Sequence, residues 1–290
     1  MKKTILRVKI FMQNQPNLTS NPIEPVIDDV NKSTESYIWK NDKVLAVFYV
    51  ILVIGSVAGI IITKLDIRLL YIPAIIGILG YGHVKAKIKR EFTQQFGASI
   101  GFTYSPSADM YSVSGKLFKI GHSQRIYDVL SGNVNDRSSR LFSYQFTVGG
   151  GKNSHTYYCT VFETAFSNNM PDIVLTTKTS VFFGGLPNFN LFDGSEHIQL
   201  EGDFNKYFTL KVPKGYETEA YEIFPPNVMA DLIDKAKDLN FEFNGNKLYI
   251  YATKLILVRE KLQAMFDLAE YLDNLFVRSA RAVDVTPTNH

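Results

Sequence analysis

Between Phe146 and Glu163 the chain reads FTVGGGKNSHTYYCTVFE, three glycines and a lysine set between two runs of aromatic and β-branched residues. Three chemistries compete for it. The N–H groups of a glycine-rich loop can cradle a phosphate while a lysine meets its charge. His155 and Cys159, four residues apart, can touch one metal ion. Two strands joined by a glycine turn use the same residues with no ligand at all.

A phosphate loop needs Gly-x-x-x-x-Gly-Lys followed by Ser or Thr, leading from a strand into a helix. Here Asn153 follows Gly151-Lys152, Phe146 occupies the first glycine position, and the next segment alternates as a strand. The phosphate reading fails on all three counts. A zinc site needs further ligands at recognisable spacing, and His122 and His197 are isolated, so no metal or other cofactor is expected. No Gly-x-Ser-x-Gly elbow occurs, and Cys159 lies in an alternating strand where a small buried thiol is its common role. Asp193, Glu196, Glu201 and Asp203 crowd LFDGSEHIQLEGD, but their spacing fits no calcium loop and a solvated turn accounts for them. What remains is a hairpin with Phe142, Tyr144, Phe146 and Val148 on one face of its first strand. Tyr158, Thr160, Phe162 and Phe166 share one face of the second, and a flexible tip offers Lys152, Asn153 and His155 as contacts for a ligand or partner. No catalytic residue is assigned; an enzyme site would have to gather distant residues such as His122, His155, His197 and Asp193.

The elements that position this hairpin fall into two compositional halves. Val44 to Thr63, VLAVFYVILVIGSVAGIIIT, holds 20 residues without a charge. As a helix it reaches about 30 Å, the thickness of a hydrocarbon core. A second apolar run, LLYIPAIIGILGYGHV, ends at Val84; it reads as a second span over about 67–84, with a re-entrant or interfacial segment as the alternative. Lys32, Lys40, Lys43, Lys85, Lys87, Lys89 and Arg90 flank the pair, against Lys64 and Arg68 in the turn, which predicts a hairpin with both termini in the cytoplasm. Tyr37 and Trp39 suit an interfacial aromatic belt, and His83 lies at the basic boundary. Gly55 and Gly59 form a G-x-x-x-G that serves either packing within the hairpin or self-association of copies.

The formal charge of +3 on 290 residues gives no basic face for a nucleic acid, and no nucleic-acid partner is expected. Cys159 is the one cysteine, so no intrachain disulfide can form. Arg7 and Lys9 interrupt the apolar start too early for a signal peptide. The expected organisation is a flexible tail over 1–40, a transmembrane hairpin over 41–90, a cytoplasmic domain over 91–278 and a tail over 279–290.

The third region is β-rich, with strands expected over Met110–Phe118, Arg125–Val134, Arg140–Val148, His155–Phe166, Asp172–Thr177 and Tyr207–Pro213. Phe241 to Tyr251, FEFNGNKLYIY, reads as a hairpin turning at Asn244-Gly245. Two amphipathic helices are expected, one after Pro225-Pro226 and one from about Thr253 to Val277, whose apolar steps of three and four fit core packing or an oligomer seam. The fold class is α+β: a membrane hairpin followed by a mostly antiparallel sheet with two helices.

The SG turn, the aromatic strand ending in a glycine-rich turn, LEGDF and VPKGYE together resemble a group of uncharacterised bacterial two-pass membrane proteins with a cytoplasmic α+β domain. The resemblance covers roughly Glu91 to Val277 and the anchor, implies an inner-membrane location, and carries no catalytic residue. The expectation is a membrane-anchored, non-enzymatic module that binds a protein or ligand near the inner leaflet, with the bilayer as its first partner. The alternative is a membrane-bound, hydrolase-like enzyme.

Overall fold

The computed structural model describes residues 43–63, 71–178, 195–200, 202–236 and 239–284. The N-terminal tail, the Lys64–Arg68 turn, Asp193, Glu201 and the C-terminal tail beyond Asp284 lie outside these residues, with every expectation placed on them. The chain divides into two compact units, residues 1–101 with 257–259, and residues 102–256 with 260–290.

The first unit holds helices α1 (Lys43–Thr63) and α2 (Tyr71–Ser99), which touch one another. Pro73 falls in the first turn of α2, where its missing N–H removes no intrahelical bond. Helix α2 runs on past Val84 and the basic stretch, so the region read as β-rich from about Glu91 opens with helix: QFGAS still belongs to α2. Residues at helical spacing sustain this extension, with Lys87 and Glu91 paired at 4.0 Å and the rings of Phe92 and Phe96 stacked at 6.3 Å. Counted over the described residues, no helix is long and apolar enough to cross a membrane. Helix α1 is one unbroken helix of 21 residues whose sequence has no charge after Lys43.

The second unit is built on one antiparallel sheet of eight strands. They are β1 (Thr103–Ala108), β2 (His122–Val134), β3 (Arg137–Val148), β4 (His155–Met170), β5 (Val174–Thr177), β6 (Ser195–Ile198), β7 (Phe208–Pro213) and β8 (Asn240–Ala252). Their order across the sheet is β1-β2-β3-β4-β8-β5-β7-β6. Short helices α3 (Phe204–Tyr207) and α4 (Glu217–Ile223) precede the two amphipathic helices, α5 (Pro226–Ala236) and α6 (Arg259–Asp284). Helix α6 starts six residues after Thr253, because Thr160 of β4 claims this connection: its N–H donates to the Lys254 carbonyl and its Oγ1 accepts from Ile256 N–H.

Two predicted β features take other forms. Met110–Phe118 is no strand but part of a strap of two 3-10 turns, Met110–Ser112 and Lys116–Lys119. Asp109 caps the first turn through Tyr111 N–H, and Ser112 Oγ donates back to the Asp109 carbonyl, so local polar side chains take the bonds a ladder would use. Phe241–Tyr251 is no hairpin but the body of β8. A type I′ turn needs two left-handed residues, and of Asn244 and Gly245 only Gly245 has positive φ, +59°. The strand therefore kinks without reversing, pairing β4 on one side and β5 on the other. The two-residue turn that does satisfy the rule is Asn135-Asp136, with φ of 50° and 63°, joining β2 to β3 where Val134 pairs Arg137.

Both faces of the central strands are buried. On one, Leu117, Phe118 and Ile120 of the strap pack with Phe142, Tyr144, Phe146, Cys159, Val161, Tyr249 and Tyr251. The ring of Phe118 meets Tyr144 edge-on at 5.0 Å and Tyr249 at 5.2 Å. On the other, Phe266 of α6 meets Phe162 at 4.3 Å and Phe102 at 5.9 Å. The large side chains alternate along each strand, and covers on both faces let both sets be apolar.

Candidate functional site

The FTVGGGKNSHTYYCTVFE segment is a β-hairpin: Phe146 pairs Tyr157, Tyr144 pairs Cys159, and Val148 pairs His155. Opposed residues share a face, so Phe142, Tyr144 and Phe146 lie with Val161, Cys159 and Tyr157 under the strap. Tyr158, Thr160 and Phe162 take the α6 side. The expected flexible tip is instead a bonded turn. Residues Gly151–Asn153 form a 3-10 turn with Asn153 N–H on the Gly150 carbonyl, and Ser154 Oγ donates to the Gly151 carbonyl at 3.0 Å. Gly149 closes it at φ +85°, where a methyl would stand 2.4 Å from the Asn153 carbonyl oxygen.

His122 works on this tip. Its Nε2–H donates to the Gly149 carbonyl at 2.9 Å, and its Nδ1 lies 3.0 Å from Ser123 Oγ. Lys152, Asn153 and His155 are all exposed around it. His122 pairs Thr147 while His155 pairs Val148, which places the two imidazole-bearing positions on opposite faces of the sheet. His197 lies in β6, at the far edge, opposite Lys211. The three histidines are thus not gathered. Among the described residues no group of three His, Cys, Asp or Glu could hold a metal ion. Cys159 is fully buried, and burial pushes its thiol well above the usual range, away from the reactive thiolate.

The charged groups that the structure does gather lie under and beside the strap, and the sequence reading passed over them. Arg140 of β3 pairs Glu163 of β4, and Lys247 of β8 reaches Glu163 Oε1 at 3.0 Å. Arg140 also donates to Ser112 Oγ at 2.9 Å and to the Ser112 carbonyl at 3.0 Å, and Lys247 reaches that carbonyl at 3.3 Å. Further along β8, Glu242 accepts N–H bonds from Lys116 and, at 3.3 Å, from Leu117, while Tyr249 OH accepts from Ser114 N–H at 3.2 Å. Glu242 is 1% exposed. Burial pushes its carboxyl up to about 7, opposed by the two N–H bonds and Lys116, and reinforced by Asp172.

A transverse row continues from this carboxyl, Glu242 to Val174 to Lys211 to His197 across β8, β5, β7 and β6. Burial, then the like charge of Lys116, holds the Lys211 ammonium below the usual lysine range. Lys116 itself pairs Asp172 at 3.5 Å. Chemically this is a fastening: the polar groups hold the strap's backbone, and each carboxylate is already bonded. The signal in the sequence was an acid beside aromatics within a strand, Phe241-Glu242-Phe243 and Phe162-Glu163, where alternation aims a charge inward.

The architecture defines a class, an α+β protein on a mostly antiparallel sheet. No family model matches the chain, and no curated protein matches it. Among solved structures it is similar to the mycobacterial trehalose monomycolate transport factor A, TtfA, with a TM-score of 0.50 and 9% identity over 64% of this chain and 93% of that one. At that identity the likeness is one of fold.

Proposed function

We propose that the protein is a membrane-anchored, non-enzymatic module. Helices α1 and α2 form a transmembrane hairpin, both termini are cytoplasmic, and the sheet unit binds a protein or ligand near the inner leaflet. One observation carries the anchor: helix α1 presents Val47, Val50, Ile51, Ile54, Val57 and Ile61 at steps of one, three and four, all at least 40% exposed, and Ile61 at 72%. Helix α2 adds Ile75, Ile78 and Leu79 at similar spacing, all exposed. A contiguous aliphatic face of this kind is costly in water and suits lipid. The lysines and arginine flanking the pair support the orientation, and the resemblance to two-pass bacterial proteins points the same way. The separation of His122, His155 and His197, and the use of both buried carboxylates in fastening, favour a binding role over an enzyme. The exposed tip at Lys152, Asn153 and His155 is the proposed contact surface, held in shape by His122 and Gly149.

The test is a cysteine at Asn153 in a Cys159→Ser background, treated with an impermeant maleimide. Labelling only after the cells are permeabilised is expected; labelling in intact cells overturns the cytoplasmic placement. Release of the protein by alkaline carbonate overturns the anchor.

A further inference from the structure

We propose that residues 109–120 form a strap that opens more readily as pH rises, with Glu242 as its latch. The inference stands on the sheet unit alone and goes beyond the membrane reading. The strap's backbone is held at four places by side chains: Asp109 at Tyr111 N–H, Arg140 and Lys247 at Ser112, Tyr249 at Ser114, and Glu242 at Lys116 and Leu117. Asp109 is exposed, Arg140 and Lys247 share Glu163, and Tyr249 carries no charge. Glu242 is different, a carboxyl 1% exposed whose bonds come from backbone N–H groups. Gly115 sits so close that a methyl there would lie 3.2 Å from Glu242 Oε2 and from the rings of Phe118 and Tyr249, so the strap seals the carboxyl from water.

The groups facing Glu242 are Lys116 from the strap, Asp172 from the segment before β5, Lys211 of β7 in the same row, and Tyr251 of β8. Burial, the largest influence, and Asp172 oppose the ionised form, while the two strap N–H bonds and the Lys116 charge favour it without outweighing burial. Lifting the strap returns the carboxyl to water and to its ordinary value near 4.5, against about 7 when closed. The closed state therefore holds a proton that the open state has lost between these values, so opening becomes easier as pH rises from about 4.5 to about 7 and levels off above. Opening withdraws Leu117 and Phe118 from Tyr144 and Tyr249 and uncovers an apolar sheet face. The strap is thus a pH-gated cover on a sheet whose other face is closed by α6.

The experiment is hydrogen exchange by mass spectrometry on the full chain in detergent micelles, corrected for intrinsic rates, following peptides over 113–120 against β3. Between pH 5 and 7.5 the strap's opening constant is expected to rise on the order of fifty-fold, with β3 unchanged. Glu242→Gln is expected to abolish the rise; Asp172→Asn brings its plateau to lower pH and Lys116→Met to higher pH. A flat strap profile in the unmodified chain, an equal rise in β3, or an undiminished rise in Glu242→Gln overturns the proposal. If Glu242→Gln does not fold, an unmoved plateau in both Asp172→Asn and Lys116→Met overturns it instead.

Discussion

Arg140 of β3 and Glu163 of β4 stand directly opposite one another and form an ion pair that Lys247 completes from β8, Nζ 3.0 Å from Glu163 Oε1. The carboxylate is 9% exposed, the guanidinium 18% and the ammonium 31%. Removing the one anion leaves two half-desolvated cations facing each other, which is worse than losing a pair at the surface. Glu163→Gln is expected to cost about 2 kcal/mol by denaturant unfolding. A loss below about 0.5 kcal/mol would show that water, not Glu163, neutralises this cluster.

At the hairpin tip, shape and contact are separable. Gly149→Ala forces a side chain into φ +85° and against the Asn153 carbonyl, so it is expected to cost at least about 1 kcal/mol and to raise the mobility of residues 149–154 in hydrogen exchange. Lys152→Ala, exposed and outside the turn's bonds, is expected to change stability by less than about 0.5 kcal/mol. Equal losses for the two would contradict the ordered turn.

Alternation and turn chemistry made the strands β2, β3, β4 and β7 legible, because each sets recurring apolar residues beside a glycine, asparagine or serine boundary, and β5 is marked by its short run after Pro171-Asp172. The helix at Pro226 was legible for the same reason, its buried Val228, Met229 and Leu232 recurring at helical spacing. Asn244-Gly245 misled: the dipeptide fits a type I′ turn, yet pairing with β4 and β5 on either side holds the chain extended. Tertiary pairing decided that position, and local propensity did not. The strap and its fastenings were illegible because their contacts join residues far apart, Lys116 with Glu242 and Ser114 with Tyr249. Of the tip residues, exposure was legible, while the hold of His122 on Gly149 was not, since 27 residues separate them.

Asn135-Asp136 gives the converse test of turn chemistry. Both residues are left-handed, and Asp136 bears a side chain at φ 63° where glycine carries no penalty. Asp136→Gly is expected to stabilise the protein by about 0.5 kcal/mol in thermal or denaturant unfolding. A destabilisation would mean that Asp136 makes a contact worth more than its backbone strain.

The anchoring proposal makes a demand on α1. Ile54 is 62% exposed near the middle of the helix, and a lysine there would sit at the bilayer centre, where a charge costs about 2.5–3.5 kcal/mol on insertion scales. Ile54→Lys is expected to reduce the carbonate-resistant membrane fraction, while Ile54→Leu leaves it unchanged. Equal membrane fractions for the lysine and leucine variants would remove the support that exposure of this face lends to the anchor.

Cys159 is fully buried opposite Tyr144, and burial pushes its thiol well above the usual range. Alkylation needs both contact and the thiolate, and the folded state supplies neither. Iodoacetamide at pH 8 is therefore expected to modify Cys159 only through unfolding, at a rate that rises with denaturant in step with the unfolding transition. Because the thiol is a small buried hydrophobe, Cys159→Ser places a hydroxyl among apolar neighbours and is expected to cost about 1–2 kcal/mol. Rapid modification of the native protein would place the β3–β4 hairpin, with the tip it carries, in a state open to solvent.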